Sequence, residues 1–260
     1  MLDIDFAELS DCGPVREHNE DFVGHALPLS PQQARNRGWI FTLADGVGGQ
    51  ERGEVASRLT VETVLAEHAK APVGENHSSL LTRAIQAANS RVYEAAHGGI
   101  ATTLVACALR FDRATIAHVG DSRCYLIRHG RLQLLTRDHT VFNDQVRLGL
   151  FTDSEAQKAL TRSVLSRSIG TNLFVAPEIS EHSVKAGDLL LLCSDGLHGA
   201  VPGEQIARIA ASGASLNDAA QQLITIANQS DGGDNVSVQL IRIKDVEAVG
   251  MYRGRPYRLH

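Results

Sequence analysis

Carboxylates stand at five places in this chain where apolar runs end or begin, four of them beside a glycine. WIFTLADG ends at Asp45-Gly46, TIAHVGDS at Gly120-Asp121 and LLLLCSDG at Asp195-Gly196. Asp234 follows Gly232-Gly233 and opens DNVSVQLIRI, while the pair Glu20-Asp21 precedes FVGHAL. A single Asp-Gly after an apolar run is an ordinary turn signal. Recurrence at five places carries more. Acids brought to one sheet end repel each other and need a neutralising partner, which a hard divalent cation with oxygen ligands provides. Oxygen donors favour Mg2+ or Mn2+ over zinc. The eleven histidines form no HxH or HExxH pair.

The segment DCGPVREHNED, residues 11–21, adds one arginine to these acids. Arg16 has the planar fork that holds two phosphate oxygens at once. Taken alone, it reads more simply as a surface salt bridge to Glu17 or Glu20. Beside a cation site the balance moves toward phosphate, because metals and an arginine together suit a phosphate dianion.

These residues need strands to carry them. Apolar runs with strand character are expected near 2–10, 21–27, 39–45, 103–110, 114–120, 123–128, 132–135, 179–184, 188–194 and 236–243. Helical spacing marks 53–69, 79–96, 203–212 and 215–228. The order is strands, two helices, many strands, two helices, one strand. It lacks the strict alternation of a doubly wound parallel sheet and indicates an α+β domain of mostly antiparallel sheets with helices packed outside. Residues 28–38 read as a polar surface loop, and 138–175 as a flap or short helices. The main domain is expected over 1–244, with 245–260 a loosely held basic and aromatic tail.

With 260 residues the chain can bury a sizeable core. Hydrophobic residues make up 43%, charged residues 21%, and the net charge is −5, so no general nucleic-acid binder is indicated. The four cysteines are scattered without zinc spacing; Cys107, Cys124 and Cys193 lie in apolar runs, as small buried hydrophobes do. Free thiols fit a reducing compartment. The N-terminus lacks a signal peptide's basic region, and no apolar run approaches the ~20 residues of a membrane span. A cytoplasmic monomer without membrane attachment is expected.

The ordered motifs DCGPVREHNED, LADGVGGQERGEVAS, ATTLV, HVGDSRCYL, RDHT, VLSRSIG, LLLCSDGL and GGDNVSV resemble the PPM family. These are the metal-dependent protein phosphatases often called type 2C, and the bacterial stand-alone members are most similar. The resemblance runs from about residue 3 to about residue 243. It implies an antiparallel β-sandwich flanked by helices on both outer faces, with metals at one end. It also implies that Asp45 bridges two ions, that the Gly46 carbonyl binds one of them, and that Asp195 and Asp234 bind the other. Glu20 and Asp21 would hold metal-bound waters or bind weakly, Arg16 would contact substrate phosphate, and Asp121 with Asp195 would bind a third, looser ion. Three positions depart from the family pattern: Gln50 and Val47 where histidines are found, and Ala101 where glycine is usual.

The activity implied is hydrolysis of phosphoserine and phosphothreonine in proteins by a water that two Mn2+ or Mg2+ ions activate, opposing a serine/threonine kinase. No covalent phosphoenzyme is needed. Arg147, Arg162 and Arg167 of the flap read as solvated surface charge, or else as contacts to phosphoprotein. Three other readings compete. A pseudophosphatase acting as a binding module is opposed by the intact Asp45, Asp195 and Asp234. A hydrolase of small phosphorylated molecules would share the same metal centre. A stage-II sporulation type regulator usually carries extra sensory or membrane segments.

Overall fold

The structure, a computed structural model, describes residues 2–47, 52–97, 99–149, 164–213, 215–247, 249–252 and 255–258. Two antiparallel sheets face each other. The first joins β1 (Asp3–Asp11), β11 (Val236–Asp245), β10 (Leu189–Cys193), β7 (Arg123–Arg128) and β8 (Arg131–Leu134), in that spatial order. The second joins β2 (Asp21–Ala26), β3 (Trp39–Val47), β5 (Leu104–Arg110), β6 (Arg113–Val119) and β9 (Glu178–Ser183), and the short β4 (Ala101–Thr102) pairs with β3. All ten expected strands form within a few residues of their expected limits.

The apolar runs are continuous because both faces of the central strands are buried. In β10, Leu190 and Leu192 point into the sandwich, where they meet Phe41, Leu43, Val105 and Cys107 of the opposite sheet. Their alternates Leu189, Leu191 and Cys193 face outward onto α6 (Gly203–Ala210) and α7 (Leu216–Ser230) through Ile206, Leu223 and Ile224. On the other side, Ile40, Leu104 and Ala106 face α2 (Gly53–Lys70) and α3 (His77–Ala96) through Val61, Val64, Leu81 and Ile85. Helices therefore cover both outer faces, as expected.

Two segments differ from expectation. Residues 28–38 contain a helix, α1 (Pro31–Asn36), rather than only a loop. Ser30 caps it by accepting from the Gln33 N–H at 3.2 Å, and proline occupies its first turn. It buries only Ala34, so it shows almost no apolar periodicity to read. Within the tail, β12 (Val249–Tyr252) pairs with β13 (Arg255–Arg258) as a separate hairpin, a local element not expected from the sequence. Two further short helices, α4 (Val141–Arg147) and α5 (Asp195–His198), sit beside the site described below. No helix among the described residues is long and apolar enough to cross a membrane.

Cys107 stands six residues before Arg113, the spacing of the cysteine-dependent phosphatase signature. Strand β5 places that thiol fully inside the sandwich, and burial pushes it up to about 12, far from a thiolate nucleophile. Cys124 and Cys193 are buried likewise, and all four cysteines are free.

Leu190 lies wholly buried on a central strand between the sheets. Leu190→Ala should lower the unfolding free energy by about 3 kcal/mol, read as a lower urea midpoint with an unchanged slope.

Candidate metal centre

The strand pairings bring the expected acids to one end of the sandwich. Asp21 opens β2 directly opposite Asp45 near the end of β3. Beside them, the start of β5 pairs with the end of β6, Leu104 opposite Val119, which delivers Asp121. In the other sheet the end of β10 pairs near the start of β11, Cys193 opposite Val238, which delivers Asp195 and Asp234. The Ser194 hydroxyl closes the gap between sheets: it donates to Asp21 Oδ2 at 2.8 Å and accepts from the Ser237 N–H at 3.0 Å.

The acids sense one another strongly. Burial raises Asp45 well above the ordinary carboxylate range, and Asp21, Asp195, Asp121 and Asp234 each add to the rise. Asp21 is raised to about 7 by burial, with Asp195 and Asp234 adding and serine hydroxyls opposing. Asp121 is raised to about 7 by burial and then by Asp195. Asp195 is raised by burial and by Asp234. For Asp21, keeping the carboxylate charged near neutral pH costs roughly 4 kcal/mol relative to water. Its Oδ1 is also buried without a hydrogen-bond partner among the described residues. A cation with oxygen preference answers both costs, and the donor set is all carboxylate and carbonyl. These residues fit Mg2+ or Mn2+.

Gly46 is required for space. A Cβ there would lie 2.4 Å from the Gly53 carbonyl carbon and 2.8 Å from the Glu20 carbonyl oxygen. Burial raises Glu20, and the Gly53 backbone at the start of α2 and Arg16 oppose that rise. Arg16 pairs with neither Glu17 nor Glu20. Its Nε donates to the Gly233 carbonyl at 3.0 Å and its Nη2 lies 2.9 Å from Asp234 Oδ1. The guanidinium stays half exposed at the mouth of the site.

Several positioning residues carried no expectation. Thr102 Oγ1 donates to the Asp45 carbonyl at 2.7 Å, and the Asp45 N–H donates to Thr103 Oγ1 at 3.0 Å. Thr103 Oγ1 in turn shares a 2.7 Å bond with Ser122 Oγ, next to Asp121. Asn235 staples the Arg16 loop: its Nδ2 donates to the carbonyls of Cys12 and His18, and its Oδ1 accepts from the Glu20 N–H. The signal for each was the motif itself: ATTLV, GDS and GGDN hold these hydroxyls and this amide.

A cleft of about 510 Å3 runs from the centre, lined by Asp121, Asp195, Asp234, Asp138, Phe142 and His198 among others. The start of the expected flap thus borders the site. Arg147 is exposed, whereas Arg167 lies partly buried with Nη1 3.4 Å from His139 Nε2; Arg162 and Gln50 fall outside the described residues. Val47 is partly exposed and pairs with Ala101.

His118, His139 and Glu178 form a second cluster whose ligand atoms lie within 4.8 Å of one another. It is built for hydrogen bonds rather than a metal. The Gly120 N–H points at His139 Nδ1 at 3.2 Å, which puts the ring proton on Nε2, and Arg137 Nη2 sits 2.8 Å from Glu178 Oε2.

Known proteins resemble this chain in sequence and fold. The family model for protein phosphatase 2C matches residues 17–233. A putative protein phosphatase 2C-type of Streptococcus pyogenes is 33% identical over 247 residues, covering 92% of this chain and 98% of the relative. The structure of the Streptococcus agalactiae serine/threonine phosphatase superposes with a TM-score of 0.85 at 32% identity, covering 93% of this chain and all of that one. The catalytic domain of the serine/threonine protein phosphatase PstP, in complex with two manganese ions, gives a TM-score of 0.79 at 33% identity, covering 94% of this chain and all of that one.

Asp21 and Asp121 are protonated below about pH 7, so a cation must displace those protons. Mn2+ affinity measured by equilibrium titration should therefore strengthen as pH rises from 5.5 to 7.5. A flat profile across that range contradicts the raised carboxylates.

Proposed function

On the premise that this chain belongs to the protein phosphatase 2C family and is a metal-dependent protein serine/threonine phosphatase, we propose which of its residues carry the reaction. Asp45, Asp195, Asp234 and the Gly46 carbonyl would hold two core Mn2+ or Mg2+ ions. Asp21 and Glu20 would hold them through water, and Asp121 with Asp195 would take a third. The observation that carries this reading is the convergence of four aspartates on Asp45, each raising its affinity for a proton. When bound, the ions supply Lewis acidity at the phosphoryl group and an activated water.

The chain's own residues do the rest. Arg16 has its Nε and Nη2 engaged by Gly233 and Asp234, which leaves Nη1 to meet a phosphoryl oxygen. Because one loop holds both Asp234 and the anchor of Arg16, cation and phosphate are set in register with each other. Thr102 and Thr103 grip the Asp45 peptide on both sides, so its carboxylate is fixed before substrate arrives. Val47 stands where some relatives carry a histidine, and it has no proton to give to the leaving serine or threonine oxygen.

Residues 1–244 form the phosphatase domain in this reading, with 245–260 a C-terminal tail. The substrates are phosphorylated proteins. A cognate serine/threonine kinase among them, a cytoplasmic setting and a monomeric state suit the free cysteines and the stand-alone relatives.

Asp45→Ala and Asp195→Ala should each reduce Mn2+-dependent hydrolysis of a phosphothreonine peptide by at least a hundredfold. Robust turnover in either variant removes the assignment. Arg16→Ala should act mainly by raising KM for the peptide, with a weaker effect on Mn2+ binding; unchanged kinetics would exclude its phosphate role.

A further inference from the structure

The helical turn α5 begins at Asp195 and ends at His198, so these residues stand three apart on one turn and both line the cleft. His198 Nε2 lies 3.0 Å from the main-chain carbonyl of Asp121. A carbonyl can only accept, so Nε2 carries the proton and the contact is a directed hydrogen bond. The two ends of one short turn are thereby fixed to the two acids of the proposed third cation site: one end is Asp195, and the other holds the peptide of Asp121.

Asp121 needs such a hold. It follows Gly120, whose φ of +100° is open to glycine and strained for other residues. The turn is braced on one side by Thr103 and Ser122, and behind by the His139 ring. Asp121 lies on the connection between the sheets, since β6 ends just before it and Arg123, two residues on, pairs with Cys193 at the end of β10. That pairing brings the Asp121 and Asp195 turns side by side, and the bond from His198 joins the Asp121 main chain directly to the turn that carries Asp195.

We propose that His198 is a positioning residue for the third cation site, a strut that sets the distance between the Asp121 and Asp195 carboxylates. It does not touch the two core ions or the substrate. Its role follows the general behaviour of groups behind metal ligands, whose removal typically costs ten- to a hundredfold in affinity. The inference rests on the assignment of Asp121 and Asp195 to a third ion.

The test is Mn2+ binding to the full chain by equilibrium dialysis with electron paramagnetic resonance of free Mn2+, at pH 7.5, alongside thermal unfolding. His198→Phe keeps the ring volume and removes the donor, His198→Ala removes both, and His198→Gln restores an amide donor at similar reach. The weakest class of sites should lose about tenfold in affinity or more in Phe and Ala. The tighter classes should be unchanged, and Gln should recover most of the loss. Wild-type binding in both Phe and Ala overturns the proposal, and so does a Gln variant as weak as Ala. Asp121→Ala separates the two levels of inference. It should abolish the weakest class, and if every class survives in it, the third-site assignment itself fails, whatever His198 does.

Discussion

Mutual repulsion among buried carboxylates is the constraint on which this structure turns. Asp45 lies within the field of four other aspartates, and burial removes the water that would screen them. No arrangement of neutral packing relieves that. The remainder of the fold can be understood as what is needed to hold such an unfavourable cluster in place. Wide apolar layers above, between and below the sheets supply the stability, and the hydroxyls of Thr102, Thr103, Ser122 and Ser194 give the acids fixed bearings. A divalent cation then turns the repulsion into the source of affinity.

This division of labour explains the layout of the sequence. Residues that stabilise occupy strand interiors, and residues that do chemistry occupy strand ends. Glycines mark the transition: Gly46 and Gly196 have no room for a side chain, since a Cβ at Gly196 would sit 2.1 Å from the Asn235 carbonyl oxygen. The backbone packs tightly where the acids converge, and a larger residue at either position would push a ligand-bearing turn outward.

Much of this was legible from residue types. Strands such as LLLLC and LVACALR announce themselves because both faces are buried, and their ends carry the acids. The four long helices followed from apolar periodicity. What stayed hidden had a physical reason. Helix α1 buries one alanine and so has no stripe, although Ser30-Pro31 marked its start. The hairpin at 249–258 is set by backbone pairing in a segment of mixed polarity. The partner of Arg16 could not be read from nearby acids, since Asp234 lies far along the chain and reaches it only through the pairing of β1 with β11. Asn235, Thr102 and Thr103 were visible as motif letters, but hydrogen-bonding roles depend on which peptide they face, and that is a tertiary property.

The staple made by Asn235 has a bearing on how the protein comes into being. Among the described residues, strand β1 pairs only with β11, and the loop carrying Arg16 takes its shape from an amide more than two hundred residues later. A ribosome delivers the N-terminal acids and arginine first, yet the register that makes them a site waits for the last long strand. Partly synthesised chains therefore lack the assembled centre, and folding must close a very long loop, which favours a slow final step. Catalytic competence in this architecture waits for Asn235 and β11, however early the first acids are made.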